Sequence, residues 1–488
     1  MQKKRAIIIG SGIGGIALSI RLAVKGFEVK VYEKNSYPGG KLTEVNLGPY
    51  RFDAGPSLFT MPQYVDELFE LTGAKPVEYF RYTKLSEVCN YFYEDGTILK
   101  IVDDNEKNDE IFSSVLGEKP GFFLKFLEKS ELIYKITNHV FLQKSLHRIK
   151  TYLNKKTILS FINIGKIGIF KSMNFANETF FKNPKSVQFF NRYATYNGSN
   201  PYEAPSTLNI IPHFEFGFGT FFPEGGMIAI TNSLVNLAQK HGVKFSFNAP
   251  VEKIIIENKI AKGIVIKGEK ILCDAVISNQ DVTNTYKFLL NENTVNKPVL
   301  KNEPSSSAII FYWGIKREFK ELGLHNILFS EYYENEFEEI FKNKTVGNDP
   351  TLYINITSKL NKTDAPKGCE NWFVMVNVPH NSGQNWDKLI EKTKASVLAK
   401  LNRILKTNIE NYIEVESVLD PISIESKTGS YAGALYGSSS NKKMAAFFRH
   451  SNFSKTYKGL YFTGGSVHPG GGIPLCLLSA KITSDLIK

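Results

Sequence analysis

An α/β fold is predicted for this chain, with a parallel-sheet dinucleotide unit at its centre, a second domain on an antiparallel sheet, and an inserted helical region. Three observations predict it. Lys4 to Glu33 reads as strand, glycine turn, helix and strand; from Pro120 the apolar pattern changes to long helical periodicity; and Gly459 to Ala480 repeats a strand, a glycine-rich loop and a helix at the opposite end.

The first unit carries the sharpest pattern. The apolar run Ala6 to Ile9 stops at Gly10-Ser11-Gly12-Ile13-Gly14-Gly15, a helical pattern follows to Lys25, and Glu28 to Tyr32 alternates before Glu33 and Lys34. In this Rossmann-like arrangement Gly10 permits the tight turn, Gly12 lets backbone N–H groups approach a pyrophosphate, and Gly15 lets the helix sit close to the strand. The helix N-terminus at Ile13 and Gly14 favours the phosphate charge. Glu33 lies about 20 residues on, where a carboxylate accepts hydrogen bonds from a ribose diol. Two plainer readings compete: an ordinary glycine-containing joint, and a secretory signal, because Lys3-Lys4-Arg5 precedes an apolar stretch. Against cleavage, the helix runs through Arg21 and Lys25 into a strand with no small-x-small processing site, so the N-terminus is expected to be kept.

At 488 residues the chain is too long for one simple core, and two or three domains are expected. Its 36 Phe and 23 Tyr exclude disorder and suggest a lipophilic tunnel, although aromatic residues more often fill cores. A formal charge of +12 invites an acidic partner. No nucleic-acid motif accompanies it, so the expected partner is an anionic membrane surface and no nucleic acid. Cys89, Cys273, Cys369 and Cys476 are scattered without a CxxC, which argues for free thiols in a reducing compartment and no metal site. No uncharged apolar run reaches the roughly 18 residues of a spanning helix.

After Glu33 come Asn35-Ser36-Tyr37-Pro38-Gly39-Gly40-Lys41-Leu42 and Tyr50-Arg51-Phe52-Asp53-Ala54-Gly55-Pro56-Ser57. Taken alone, Pro38-Gly39-Gly40 is a turn. Together with the upstream unit, the chain resembles the flavin-dependent amine oxidase superfamily and, within it, the bacterial-type phytoene and carotenoid desaturases, which carry E-x5-GG-R followed by a D-x-G-P turn near the flavin. The resemblance implies noncovalent FAD, with Gly40, Lys41, Gly55, Pro56 and Ser57 beside it. Lys41 stands where arginine is usual; lysine neutralises a phosphate but cannot make the planar two-pronged contact of a guanidinium.

Tyr193-Ala194-Thr195-Tyr196-Asn197-Gly198, running on to Ser206, resembles the carotenoid desaturase signature beside the substrate cavity; bottom-up it is a turn-rich connector. Phe214, Phe216, Phe218, Phe221 and Phe222 recur at mostly even spacing, as on one face of a strand. Tyr196, Phe218, Phe221 and Phe222 are the candidates to line a polyene tunnel, the alternative being an ordinary sheet core. Pro223 to Met227 opens an amphipathic helix ending at His241, and Val251 to Ile256 alternates as a strand. The resemblance implies that the Val251 backbone binds adenine and that Asp274 to Asp281, with Asn279, returns the chain to the nucleotide domain.

In Thr463-Gly464-Gly465-Ser466-Val467-His468-Pro469-Gly470-Gly471-Gly472-Ile473-Pro474-Leu475-Cys476, Pro474 suits the first turn of a helix. The N–H groups of Leu475 and Cys476 are expected to point out of that end and favour negative charge, such as a reduced flavin accumulates. A purely structural glycine loop is the plainer reading. The segment resembles the desaturases' flavin motif, with Leu475 and Ala480 replacing glycines, which places Gly465, Gly472, Ile473 and Leu475 at the cofactor. Its HPGGGIP wording resembles the 1-hydroxycarotenoid 3,4-desaturase branch.

Between Lys144 and Lys171 there are basic and apolar residues and not one Asp or Glu. Lys150, Lys155 and Lys156 are expected to meet anionic headgroups while Phe161, Ile162, Ile167 and Phe170 enter the acyl boundary. The plainer reading is a solvated basic face. Elsewhere, Asp103 to Glu110 reads as a polar loop; Ser307 to Gly314, Thr351 to Ile356 and Asn371 to Val378 read as strands and Asp387 to Leu405 as a helix; His325 and His380 are isolated and expected to be structural.

The expected organisation is an FAD-binding domain in three parts (1–75, 208–285 and 425–488), a substrate domain in two (76–120 and 286–424) and a helical, membrane-associating region at 121–207. The expected activity is oxidation of the C-3,4 bond of a 1-hydroxylated carotenoid, with hydride passing to flavin N5. No catalytic side chain is assigned, since the flavin carries the hydride. Oxygen or a quinone is the expected electron acceptor, and the cytoplasmic side of a membrane the expected location. A multi-step phytoene desaturase, a carotenoid isomerase and a non-enzymatic prenyl-lipid carrier of related fold are the alternatives.

Overall fold

The computed structural model describes residues 3–153, 157, 163–168, 170–291, 302–442 and 449–488. Strands from distant stretches of chain form a five-stranded parallel sheet in the order Lys244–Ser246, Glu28–Tyr32, Arg5–Ile9, Ala275–Ser278 and Leu460–Phe462. Both faces are covered, which is why these strands are apolar without alternation. On one face Ile8, Val31 and Ile277 meet the helices Ile13–Val24, Ile228–Lys240 and Ile473–Leu486. On the other, Ile7, Ile9 and Val276 pack against a three-stranded antiparallel layer, Lys253–Glu257, Ile260–Ile266 and Glu269–Leu272. The first and last helices of the chain pack side by side.

A seven-stranded sheet forms the second body, in the order Ile413–Leu419, Ser307–Ile315, Glu370–Val378, Leu352–Ile356, His325–Leu328, Glu87–Phe92 and Ile98–Val102. The expected antiparallel pairing holds except that His325–Leu328 runs parallel to Glu87–Phe92. Trp313, Trp372 and Val374 face the helix Trp386–Leu405, whose first turn is capped by Asn385. The opposite face looks onto the cavity described below.

The helical region is held by aromatic packing. Helices Phe122–Thr137, Met173–Phe180 and Pro184–Asn191 start at capping residues Gly121, Ser172 and Asn183, and the rings of Phe126 and Phe190 lie 4.1 Å apart, those of Phe181 and Phe190 4.9 Å. Much of the aromatic surplus therefore fills this core and does not line a tunnel.

Three local expectations are corrected. The polar stretch at 103–110 is the start of a helix, Asn105–Leu116, because the Asp104 side chain accepts from the Lys107 N–H and Gly117 closes the far end at φ 67°. Phe214 and Phe216 lie on a short helix, Ile211–Phe216, and only Phe221 and Phe222 belong to the strand Thr220–Pro223. Pro223 ends that strand, and the helix begins at Ile228. Among the described residues no helix is long and apolar enough to cross a membrane.

Candidate active site

A cavity of about 1320 Å³ runs from the edge of the parallel sheet, past both glycine loops, to the inner face of the seven-stranded sheet. It begins at Glu33. One carboxylate oxygen accepts from the Ser11 N–H at 2.8 Å and the Ser11 hydroxyl at 2.9 Å, the other from the Asn35 N–H at 2.9 Å. Lys34 and Val251 line the same end. Gly10 turns the chain at φ 93°, and Gly12 opens the helix Ile13–Val24, whose first N–H groups have no partner within the helix. Gly15 does not touch the cavity; a Cβ there would collide with the Gly10 carbonyl oxygen, so its smallness keeps helix and strand together.

Asn279 ties the two glycine loops to each other. Its amide nitrogen is 2.7 Å from where a Cβ on Gly12 would stand, and its amide oxygen 2.8 Å from that of Gly464. Next to it, the Lys41 ammonium donates to the carbonyls of Ala434 at 3.2 Å and Leu435 at 2.6 Å. Burial pulls this lysine down to about 8, against the attraction of Asp281 and Cys476. A Cβ on Gly55 would run into the Lys41 carbonyl, so the Gly55-Pro56-Ser57 turn is held against the turn that carries Lys41.

At the C-terminal loop, Gly472 has φ 100° and open space where a Cβ would be, facing the cavity; helix Ile473–Leu486 starts immediately after it. The expectation that Cys476 offers a free N–H is corrected: it donates to the Gly472 carbonyl at 2.9 Å, closing the first helical turn and leaving Ile473 and Leu475 as the N–H groups outside the helical ladder. Arg449 braces this loop from below, donating to the carbonyls of Tyr436 and Ser438 at 3.0 Å, to that of Gly465 at 3.3 Å, and to the Asn197 side-chain oxygen at 2.9 Å. Burial lowers its guanidinium to about 10.

Beyond the loops the wall becomes apolar. Ile310, Ile327, Phe373 and Met375 come from the sheet, and Leu208, Ile211 and Phe214 from the helices. One polar island interrupts it. Arg192 donates to the hydroxyls of Tyr196 at 2.7 Å and Tyr91 at 2.6 Å, and Glu215 accepts from Tyr193 at 2.8 Å and Tyr196 at 3.0 Å. Beside it, Tyr353 is 2.7 Å from both Ser57 Oγ and His325 Nδ1.

The cofactor residues inferred from the sequence thus come together: Gly10, Gly12, Ile13, Gly14, Glu33, Lys34, Gly40, Lys41, Gly55, Pro56, Ser57, Val251, Asn279, Gly465, Gly472, Ile473 and Leu475 all line one cavity. Of the substrate candidates only Tyr196 does. Phe218 packs on Tyr134 and His213, Phe221 on Phe59 and Tyr82, and Phe222 is buried with Leu85 and Leu324; all three are core. The sequence reading missed Arg192, Glu215, Tyr353 and Arg449 and set His325 aside. No apolar alternation marks His325 in the sequence: its strand, His325 to Leu328, is two polar residues followed by two apolar ones, all four buried.

A carboxylate at the end of the second strand, a glycine-lined helix N-terminus and a second such terminus from the far end of the chain suit a long dinucleotide. Fold and site together define a dinucleotide-dependent oxidoreductase with a separate substrate chamber. The chain belongs to the flavin containing amine oxidoreductase family, which matches residues 13–488. It is 51% identical over 484 residues, 99% of each chain, to the 1-hydroxycarotenoid 3,4-desaturase of Flavobacterium sp. (strain P99-3). It is 30% identical over 497 residues, 100% of this chain and 98% of the relative, to the 4,4'-diapolycopene oxygenase of Methylomonas sp.. An oxidoreductase from Methanosarcina mazei shares the fold at a TM-score of 0.63 and 17% identity, covering 99% of this chain and 100% of that one. The protein is an FAD-dependent enzyme.

Proposed function

We propose that this enzyme desaturates a carotenoid, introducing the C-3,4 double bond into a 1-hydroxylated substrate. The observation that carries the reading is the continuity of the cavity from the dinucleotide residues into an apolar chamber walled by Ile310, Ile327, Phe373 and Met375, in a chain 51% identical over its full length to a 1-hydroxycarotenoid 3,4-desaturase. When bound, FAD supplies the hydride acceptor. The protein's share is positional. Gly10 to Gly14 and Glu33 hold the nucleotide; the Lys41 ammonium and the N-terminus of helix Ile473–Leu486 favour negative charge at the ring end. The apolar chamber aligns the polyene and excludes water, so no acid–base pair is required for the hydride step.

Re-oxidation by oxygen or by a membrane quinone follows from the same reading. So does peripheral attachment to the cytoplasmic side of an anionic membrane. Ile149 (80% exposed), Leu153 (76%) and Phe170 (76%) present apolar side chains to solvent near exposed Arg148, Lys150 and Lys171, which supports it. Ile167 is buried and is withdrawn from the contact set. Lys155, Lys156, Phe161 and Ile162 lie outside the described residues. Flotation with anionic liposomes at low salt tests attachment: protein remaining in the dense fraction refutes it.

The activity is tested by incubating the purified yellow protein with a 1-hydroxylated carotenoid. The expected product has lost two hydrogens in one step. A product of unchanged mass points to an isomerase, a series of successive red shifts to a phytoene-type desaturase, and a colourless protein to a carrier.

A further inference from the structure

Two buried ring or guanidinium nitrogens in the cavity wall, His325 Nε2 and Arg192 Nε, have no hydrogen-bond partner among the described residues. His325, 3% exposed, begins the strand His325–Leu328 and pairs with Asn355 across the sheet. Its Nδ1 is held by the Tyr353 hydroxyl at 2.7 Å and by Asn355 Nδ2 at 3.2 Å. Asn355 Nδ2 also donates to the Leu324 carbonyl at 3.1 Å, which identifies it as the amide nitrogen; Nδ1 therefore accepts, and the ring hydrogen sits on Nε2. Burial, reinforced by the Arg192 charge, lowers the imidazole to about 3, so the ring is neutral at physiological pH. Among the described residues Nε2 has no hydrogen-bond partner. An unmatched buried N–H is costly, and in a cavity wall it marks the place where a ligand brings the acceptor.

The neighbouring groups do not take this part. The Arg192 Nη donors and the Glu215 carboxylate are occupied by Tyr91, Tyr193 and Tyr196. Arg192 Nε is also unmatched, but the side chain's hydrogen bonds run to Tyr91 and Tyr196 and to no residue of the Gly55-Pro56-Ser57 turn among the described residues. His325 is tied to the cofactor turn: two hydrogen bonds through Tyr353 join its ring to Ser57. Ile310, Ile327, Phe373 and Met375 around it carry no donor.

Substrate chemistry asks for a donor at this place. In a 1-hydroxylated carotenoid a single methylene separates the hydroxyl-bearing carbon from C-3, so the group that reads the hydroxyl must stand beside the bond being oxidised and hence beside the flavin. We propose that His325 is the specificity-determining residue for the hydroxylated end, its Nε2–H donating to the 1-hydroxyl oxygen. This rests on the carotenoid reading above.

The holoenzyme is assayed with a 1-hydroxylated carotenoid and the same chain lacking the hydroxyl. The wild type is expected to prefer the hydroxylated chain by tenfold or more in kcat/KM, since a donor left unmatched penalises the analogue. His325→Asn keeps an amide where Nδ1 meets Tyr353 but loses the Nε2 donor; the preference is expected to fall to near unity with the flavin spectrum unchanged. His325→Gln carries its amide nitrogen out to the Nε2 position and is expected to keep most of the preference. An Asn variant that still discriminates like the wild type overturns the proposal, and so does a Gln variant that loses discrimination as fully as Asn. A wild type without any preference overturns the substrate reading as well, which separates the two failures. Independently of any variant, a 1-methoxy chain, which keeps the acceptor oxygen, is expected to bind the wild type more tightly than the chain without oxygen; equal binding overturns the proposal.

Discussion

Gly14 and Gly464, from opposite ends of the chain, pack so closely that a Cβ on the first would stand 3.0 Å from the Cα of the second. Both face the cavity, and although the Asn279 amide oxygen stands equally near, the Gly464 obstacle is backbone, so side-chain rotation alone does not relieve the crowding. Gly14→Ala is expected to force the two loops apart, lowering the flavin content of the purified protein at least tenfold and stability by about 1–3 kcal/mol, the usual cost of overpacking. The ratio of flavin to protein absorbance and a urea titration check this; a fully flavinated Ala variant would show that the contact is dispensable.

Glu33 accepts three hydrogen bonds, two from Ser11 and one from Asn35. Glu33→Gln places an amide nitrogen against N–H donors that need an oxygen. The expected outcome is a loss of about 1–3 kcal/mol in FAD affinity, roughly ten- to a hundredfold in Kd. Calorimetric titration of FAD into apoprotein measures it, and an unchanged Kd contradicts the assigned role.

Removing one member of a buried ion pair strands the other. The Arg192 guanidinium and Glu215 carboxylate approach to 3.7 Å with both side chains buried. Glu215→Gln is expected to cost about 3–5 kcal/mol in stability. The value should fall toward the lower end, because the Arg192 guanidinium also sits 4.3 Å from the ring centre of Tyr193, 5.0 Å from that of Tyr196 and 5.1 Å from that of Tyr91. Urea unfolding monitored by tryptophan fluorescence reads the change.

Lys41 titrates near 8 in the folded apoprotein because it is buried, against 10.5 for an unhindered lysine. Between these values the unfolded chain binds more protons than the folded one, so this residue makes stability rise with pH across that window, and its penalty is fully present below about 8. Subtracting the urea stability of Lys41→Met from that of the wild type should isolate the effect: the difference is expected to move in favour of the wild type from pH 8 to pH 10. A flat difference would show that Lys41 keeps an ordinary proton affinity.

The nucleotide half of the site is legible in the sequence because its glycines act on neighbours a few residues away. Gly10 and Gly15 constrain each other within one turn, and Glu33 follows at the end of the next strand. The chamber half is different. His325 reaches Tyr353 and Asn355 only through the register of strands separated by some thirty residues, and Arg192 meets Glu215 only once two helical segments have folded against the sheet. Even alternation misled for Phe214 and Phe216, where Pro212 in the first turn supports a short helix that contains both. Asp103 to Glu110 looked like a loop because its polarity is uniform; the Asp104 cap and the Gly117 stop, not apolar spacing, make it helical.

The strand Leu460–Phe462 is the last in chain order of the parallel sheet, and the loop that follows it supplies one wall of the cavity in which we place the flavin. The chain must be made as far as this loop before such a pocket exists, so insertion of the prosthetic group follows synthesis of Gly464. A nonsense codon upstream of Gly464 is expected to leave an apoprotein without pigment, however much of its N-terminal nucleotide motif has been made.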